Sequence, residues 1–132
     1  MFNAIYINLP VADVGRSLNF FENLGFEFNQ QFTDASSACL IIGENMYAML
    51  SNREKFAGFI NKPIASRDST EAIISLSCKS KESVTELAEK AFSLGATKVN
   101  EPEDHGFMYS WGFEDLDGHL WDLFWMDSSR LN

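Results

Sequence analysis

One carboxylate lies inside a strongly apolar run near the end of the chain. The run is Leu120–Met126, LWDLFWM, and its acidic residue is Asp122. If the run is a strand, alternation places Asp122 on the same face as Phe124 and on the face opposite Trp121. Both faces are apolar, so we expect both to be covered. A carboxylate there needs a hydrogen-bonding partner, a metal ion, a bound proton or a solvated cavity. Asp122 is therefore the first candidate for a general base or a ligand contact.

The chain has two histidines, in different surroundings. His119 follows the turn 115–118, and we interpret it as a solvent-facing side chain. His105 follows two acidic residues, which could raise its pKa, and it precedes a run in which Tyr109 and Trp111 share one strand face. One interpretation is a ligand pocket with aromatic walls and His105 at its rim, as a polar contact or a general base. The other is a core-facing aromatic strand with a surface histidine.

Several other catalytic patterns are missing from the sequence. No serine lies in a sharp glycine-flanked turn, as the nucleophile of a Ser-His-Asp triad would. The chain has neither a phosphate-binding loop nor a G-x-G-x-x-G segment. Cys39 and Cys78 stand apart in apolar runs, without the C-x-x-C spacing of a zinc site. We therefore predict two buried free thiols in a reducing cytoplasm.

The acidic composition limits the possible partners. The formal net charge is -9 at pH 7, which repels nucleic acid phosphates and permits a cationic ligand. No apolar run approaches the ~20 residues of a membrane span, and the first residues lack the features of a signal peptide. We expect a cytoplasmic protein that binds neither nucleic acid nor a membrane.

The elements that would hold these residues occur twice along the chain. In the first half we predict strands over 2–11, 26–33, 38–42 and 46–51, a helix from the Asp13 cap to Leu24, and a short helix over 52–60. In the second half we predict strands over 71–78, 97–100, 107–113 and 120–126, and a helix from the Ser80 cap to Leu94. Residues 101–104 read as a loop, and the aspartates of the turn 115–118 can bond the nearby backbone.

The repetition predicts the fold class. A glycine closes each helix, at Gly25 and Gly95, and each half reads strand, helix, three strands, so an internal duplication is the simplest account. We predict a single α+β domain with two βαβββ modules in tandem, about 1–60 and about 71–127. The unpatterned residues 61–70 form the linker between them. Paired modules of this kind imply two mixed sheets that curl into a cleft.

Three segments resemble one known superfamily. Residues 8–26 resemble its opening strand and helix, and residues 77–96 resemble its second such pair. Phe113–Leu123, FEDLDGHLWDL, resembles its closing hairpin, usually written D-P-D-G-x-x-x-E-L. With these segments in this order, the chain resembles the vicinal oxygen chelate superfamily, the glyoxalase / bleomycin-resistance / extradiol dioxygenase group. The likeness covers nearly the whole chain and implies a glyoxalase-like fold and a homodimer.

The resemblance also implies four metal-ligand positions, which metal-using relatives fill with His, Glu or Gln. Carried over to this sequence, the positions are Tyr6, Met49, Ile73 and Asp122. A slip of one residue in the fifth strand stays open, and a shift of two to Glu71 would break the spacing to Gly95. Asp122 is the one good ligand for a hard metal, whereas a catalytic centre needs at least three protein ligands. We therefore expect no metal and no other cofactor.

Two functions stay open on this basis, and a third is kept beside them. Without a metal, the cleft would be a mostly apolar pocket, and its predicted lining is Tyr6, Asn8, Met49, His105, Tyr109, Trp111 and Asp122. The first function is a binding protein with a degenerate metal site that holds a small aromatic or cationic molecule. The alternative is a metal-dependent lyase of the lactoylglutathione lyase type, or a dioxygenase, with Ni, Zn, Fe or Mn in a divergent site. The third is a metal-independent enzyme that uses Asp122 or His105 as its general base.

Overall fold

A computed structural model describes residues 1–131, and the chain divides into two compact units, Met1–Ala65 and a second that begins at Ser66. Each unit consists of a mixed sheet and one long helix, in the order strand, helix, three main strands. The α+β class and the two βαβββ modules are therefore confirmed. No helix within residues 1–131 is long and apolar enough to cross a membrane.

The first unit carries a four-stranded sheet. Its elements are β1 (Ile5–Val11), α1 (Val14–Leu24), β2 (Glu27–Asn29), β3 (Ser37–Gly43), β4 (Met46–Asn52) and α2 (Arg53–Ala57). The strands lie in the order β1-β4-β3-β2. β1 runs parallel to β4, and the other neighbours are antiparallel.

The second unit repeats this arrangement with one additional strand. Its elements are β5 (Ile73–Ser77), α3 (Lys81–Ser93), β6 (Thr97–Lys98), β7 (Glu103–Asp104), β8 (Met108–Glu114) and β9 (Leu120–Met126), followed by a 3-10 turn (Ser128–Leu131). The strands lie in the order β5-β9-β8-β6, and β7 also pairs with β8. β5 runs parallel to β9, as β1 does to β4.

Both long helices begin and end where the sequence predicts. The Asp13 carboxylate accepts a hydrogen bond from the Arg16 N–H, and the Ser80 hydroxyl accepts one from the Ser83 N–H. These bonds satisfy amide groups that have no partner within the first turn of a helix. Gly25 follows α1 with φ of 116°, a left-handed conformation that glycine adopts without strain.

Each helix covers one face of its sheet. In the first unit the buried side chains of α1 and the fully buried Leu40, Ala48 and Leu50 form the core. In the second unit Val84, Ala88 and Ala91 of α3 are fully buried, and the large side chains buried with them on β8 and β9 are Trp111, Phe113, Trp121 and Leu123. We call these the helix faces and the opposite sides of the sheets the far faces.

The expectation that both faces of β9 are covered is right for one face. Trp121 on the helix face is completely buried, whereas Asp122 and Phe124 on the far face keep part of their surface exposed. The far face of β9 therefore remains partly accessible around its carboxylate.

Several predicted strands differ from the observed ones. The strand predicted over 26–33 is β2 followed by a 3-10 helix (Gln30–Phe32), because the Asn29 side chain accepts from the Gln31 N–H and the Thr33 hydroxyl donates to the Asn29 carbonyl. Such local bonds compete with pairing along a strand. The loop predicted over 101–104 contains β7, which Gly106 connects to β8 with φ of 83°.

Other boundaries shift by a few residues. β1 begins at Ile5 and β5 at Ile73, α2 ends at Ala57, and β6 has only the two residues 97–98. Residues 2–4 and 71–72 lie beyond the paired part of the sheets, so their apolar or alternating pattern does not reflect strand pairing.

Candidate functional site

The parallel pairing of β5 with β9 determines which side chains surround Asp122. Ser75 pairs with Asp122, and Ile73 pairs with Leu120. Paired residues point to the same side of a sheet, so all four lie on the far face of the second unit. The structure therefore brings together two of the predicted metal positions, Ile73 and Asp122.

The same register occurs in the first unit. Tyr6 lies seven residues before the Asp13 helix cap (13 − 6 = 7), and Ile73 lies seven before the Ser80 cap (80 − 73 = 7). Ile73 is thus the counterpart of Tyr6 in the duplicated fold. Glu71 lies outside β5, so the alternative of a two-residue shift does not provide a carboxylate on this strand.

Asp122 has a weak hydrogen-bond partner. The Ser75 hydroxyl is 3.5 Å from Asp122 Oδ2, at the long limit for such a bond. Burial raises the pKa of Asp122, the Ser75 hydrogen bond lowers it, and the negative charge of Glu103 raises it further. No Lys, Arg or His side chain within residues 1–129 forms an ion pair with Asp122. This carboxylate is therefore available to a further hydrogen-bond donor.

Gly112 pairs with Asp122 on the β8 side. A Cβ atom built on Gly112 would lie 3.0 Å from the Trp121 carbonyl oxygen and 3.8 Å from Asp122 Oδ1. The distance to the Trp121 carbonyl is shorter than an ordinary contact, and the distance to Oδ1 means that a side chain at position 112 would contact the carboxylate. Glycine in a strand often marks such a close approach, and Gly112 is itself buried.

Apolar side chains border Asp122 along its own strand. Leu120 and Phe124 are its neighbours on the far face, and both are partly buried. Across the strands, the flanking residues Ser75 and Gly112 are small. The result is one partly buried carboxylate with apolar neighbours along its strand, a composition typical of small-molecule contacts.

Tyr109 and Trp111 lie on the opposite side of the same sheet. The Tyr109 hydroxyl and the Thr85 hydroxyl of α3 form a hydrogen bond of 2.9 Å, and the Trp111 ring packs edge-on against Phe92 at 5.3 Å. Trp111 Nε1 donates to the carbonyl of Asn100. The structure thus matches the interpretation as a core-facing strand, and it separates these two predicted pocket residues from Asp122.

His105 lies in the turn between β7 and β8. Its side chain is 50% exposed, and Nε2 is 3.4 Å from Oε2 of Glu103, which is also exposed. Glu103 pairs with Ser110 and therefore points to the far face. His105 is linked to that face through Glu103, and no direct contact joins it to Asp122 in the described part of the chain.

In the first unit, three predicted site residues share the far face. Asn8 pairs with Met49, and Tyr6 pairs with Tyr47. The rings of Tyr6 and Tyr47 are stacked with their centroids 4.7 Å apart and 17° between their planes. Tyr6 is 56% exposed, so this pair offers an accessible aromatic surface next to an amide.

Asp115 is a buried carboxylate whose role extends beyond the predicted turn contacts. Its Oδ1 accepts from the N–H groups of Asp117 and His119, and its Oδ2 accepts from Trp121 Nε1 at 2.9 Å. Burial raises the pKa of Asp115, and the charge of His119 and these hydrogen bonds act in the opposite direction. The D-x-D-G turn indicated the backbone bonds, but no sequence signal indicated the bond to the indole.

The residues at the four predicted metal positions do not fit a divalent ion. They offer a phenol, a thioether, a hydrocarbon and a carboxylate, at Tyr6, Met49, Ile73 and Asp122. Ile73 has no donor atom, and a thioether does not suit a hard cation. Within residues 1–131 no group of three or more His, Cys, Asp or Glu side chains lies close enough to hold a metal.

Comparison with known proteins places this geometry in a family. The sequence model of the Glyoxalase/Bleomycin resistance protein/Dioxygenase superfamily matches residues 4–123. The fold is similar to that of the hypothetical protein SA1046 from S. aureus, with 28% identity, a TM-score of 0.81 and 94% of each chain covered.

Two further solved structures share the fold at lower identity. A glyoxalase/bleomycin resistance protein/dioxygenase family enzyme from Burkholderia phytofirmans PsJN is 17% identical, with a TM-score of 0.77 and with 92% of this chain and 96% of that one covered. The fosfomycin resistance protein FosX from Listeria monocytogenes is 23% identical, with a TM-score of 0.70 and coverage of 94% and 90%. A search of curated protein sequences finds no significant match.

Proposed function

The chain belongs to the Glyoxalase/Bleomycin resistance protein/Dioxygenase superfamily, and from this premise we propose that it is a binding protein with a degenerate metal site. The ligand is a small aromatic or cationic molecule that rests on the far face of the second unit. Asp122 is the polar anchor, and Leu120 and Phe124 supply apolar contacts beside it.

The observation that carries the proposal is the chemistry of the residues at the four predicted metal positions. Ile73 presents a largely exposed hydrocarbon where a ligand atom would be needed. Asp122 has a serine hydroxyl as its neighbour, at a distance that leaves the carboxylate poorly satisfied. A partly buried carboxylate with a weak partner costs the fold stability, which is typical of residues retained for binding.

The far face of the first unit, taken by itself, offers a separate surface on which an aromatic group can stack. The stacked Tyr6 and Tyr47 rings present a flat and accessible surface, and a planar group gains about 0.5–1.5 kcal/mol from stacking beyond the area it buries. Asn8 and Met49, which pair beside them, add a polar and a polarizable contact.

A thermal-shift screen tests the proposal. The wild type is screened against small aromatic cations, neutral aromatic compounds and aromatic anions, because any molecule that binds the folded state raises Tm. We expect hits among cations or neutral aromatics and a loss of those hits in Asp122→Asn. Glu114→Gln is the matched control, since it also removes one carboxylate from the far face. A screen whose hits are unaffected by Asp122→Asn contradicts the role of Asp122.

Metal analysis distinguishes the proposal from its alternative, a metal-dependent lyase or dioxygenase. The protein is purified without chelators, and its Ni, Zn, Fe and Mn contents are measured before and after each metal is added back. We expect no stoichiometric metal, because a site needs at least three protein ligands. If the wild type binds one equivalent of a metal and Asp122→Asn binds none, the binding-protein proposal is wrong and the metal-dependent enzyme is favoured.

We also propose a cytoplasmic homodimer, on the basis of superfamily membership and of the two free cysteines, Cys39 and Cys78. Light scattering with size-exclusion chromatography measures the mass in solution. A dimer has about twice the chain mass of 14.9 kDa, and a mass equal to one chain at micromolar concentration would rule it out.

A further inference from the structure

The strand register of the first unit brings two phenol rings into contact. Tyr6 of β1 and Tyr47 of β4 are paired positions on neighbouring parallel strands. Their ring centroids are 4.7 Å apart and their planes differ by 17°, which is near the short end of the range for aromatic pairs. Only a small displacement is therefore needed to bring a ring carbon of one tyrosine against a ring carbon of the other.

The two rings differ in their exposure and in their freedom to move. Tyr6 is 56% exposed and lies on β1, which is at the edge of the four-stranded sheet. Tyr47 is partly buried and lies on an inner strand, with Tyr6 paired on one side and Ile41 on the other. A small molecule in solution can therefore reach the Tyr6 ring, and this ring can move against Tyr47, which its neighbours hold in place.

The chain has three tyrosines, and the third has different surroundings. Tyr109 lies on the helix face of the second sheet, where its hydroxyl and the Thr85 hydroxyl form a hydrogen bond of 2.9 Å. Its paired position on β9 is Trp125, so no tyrosine lies next to it on the neighbouring strand. Tyr109 is therefore a natural control for chemistry that needs two phenols in contact.

We infer that Tyr6 and Tyr47 form an oxidation site at which the two rings couple to a dityrosine cross-link. Two equivalents of a one-electron oxidant each remove one electron, one from either phenol, and both phenolic protons leave to solvent. The two radicals join through a carbon–carbon bond between the ring carbons next to the hydroxyls. The hydrogen on each of these carbons then moves to the adjacent oxygen and restores the phenol. The product lacks two hydrogen atoms, and this chemistry needs no ligand at Asp122.

The cross-link would fasten the edge strand β1 to its neighbour β4. The two tyrosines lie 41 residues apart in the sequence (47 − 6 = 41), with α1, β2 and β3 between them. A covalent bond between distant positions stabilises a fold mainly by restricting the unfolded chain. The cross-linked protein should therefore unfold at a higher urea concentration than the unmodified protein.

Brief photo-oxidation of the dilute protein tests the site. Light and tris(bipyridine)ruthenium(II) generate the one-electron oxidant, and persulfate accepts the two electrons. We expect a single-chain product that lacks two hydrogen atoms and has the fluorescence of dityrosine. Trypsin cuts after Arg16 and Arg53, so mass spectrometry should find peptide 1–16 joined to peptide 17–53. A wild type that gives no such joined peptide would overturn the inference.

Three matched variants test the assignment to this pair. Tyr6→Phe and Tyr47→Phe keep both rings but remove one phenol, so each should abolish the dityrosine signal of the single chain. Tyr109→Phe should leave the signal unchanged, because Tyr109 lies on the helix face of the other sheet. A signal that survives Tyr6→Phe or Tyr47→Phe would overturn the assignment. Dityrosine found only in products with the mass of two chains would also overturn it, since the coupling would then occur between molecules.

Discussion

Two carboxylates of one hairpin, seven residues apart (122 − 115 = 7), have opposite relationships with their surroundings. Asp115 is 3% exposed and accepts three hydrogen bonds, one of them from the Trp121 indole. Asp122 is partly buried. Its hydrogen-bond donor in the described chain is the Ser75 hydroxyl, at the long distance of 3.5 Å. Burial raises the pKa of both residues.

The difference separates a carboxylate whose hydrogen bonds are satisfied within the fold from one whose hydrogen bonds are not. Asp115 fixes the turn and ties it to a core tryptophan, so its charge is compensated within the fold. Asp122 is compensated much less, and its remaining hydrogen-bonding capacity is what the proposed ligand would use. The sequence places Asp115 in a turn and Asp122 in a strand, but only the fold shows how many hydrogen bonds each carboxylate accepts.

Replacing Asp115 with alanine should give the largest effect. The change leaves the Trp121 indole N–H and two backbone N–H groups of the turn without their acceptor. Since each buried unsatisfied group costs about 1–3 kcal/mol, we expect a loss of about 3 kcal/mol in the free energy of unfolding, measured by urea denaturation. Glu114→Ala, one residue away, is the control and should change stability by about 0.5 kcal/mol at most. If Asp115→Ala loses less than about 1 kcal/mol, Asp115 contributes little to stability and does not differ from Asp122 in this respect.

Tyr109→Phe sharpens the comparison between the two faces of the second sheet. It removes the hydrogen bond between the Tyr109 and Thr85 hydroxyls, and we expect a loss of about 1 kcal/mol in stability. A ligand that binds at Asp122 should keep its affinity, because Tyr109 is on the helix face. A double-mutant cycle with Thr85→Val isolates the pairwise energy. An affinity loss larger than the stability loss would mean that Tyr109 takes part in binding.

His105→Ala should have the smallest effect on stability. The contact between His105 and Glu103 joins two exposed side chains, and such pairs contribute about 0.2–1 kcal/mol or less. We therefore expect an unchanged urea midpoint and, for ligands anchored at Asp122, an affinity within about twofold of the wild type. A tenfold loss of affinity without a change in stability would make His105 a ligand contact after all.

Much of the fold could be predicted because its signals are local. The caps at Asp13 and Ser80 and the glycine after each helix lie within one turn of the backbone groups they satisfy. Tyr6 and Ile73 lie the same number of residues before their helix caps, so the position of one in its strand predicts the position of the other. Alternation along Leu120–Met126 likewise gave the correct pairing of residues with faces.

The separation of Tyr109 and Trp111 from Asp122 could not be predicted in this way. Their shared face follows from strand parity, but the side on which Asp122 lies depends on the pairing of Gly112 with Asp122. That register is a contact between two strands, and it is set by the length of the intervening turn. The bond from Trp121 to Asp115 is missed for the same reason, because it closes only when the turn has its folded geometry.

The most direct test compares Asp122→Asn with Asp115→Asn by urea unfolding at several pH values. A carboxylate whose pKa is raised on folding contributes stability below its unfolded pKa, and that stability is lost as pH rises through the folded pKa. Asparagine does not ionise, so Asp122→Asn should match the wild type in acid and exceed it by up to about 1 kcal/mol at neutral pH. Asp115→Asn should lose about 1–3 kcal/mol at neutral pH, because its amide nitrogen would face the indole N–H. If Asp122→Asn loses as much stability as Asp115→Asn, Asp122 is a structural residue and the proposed ligand site is contradicted.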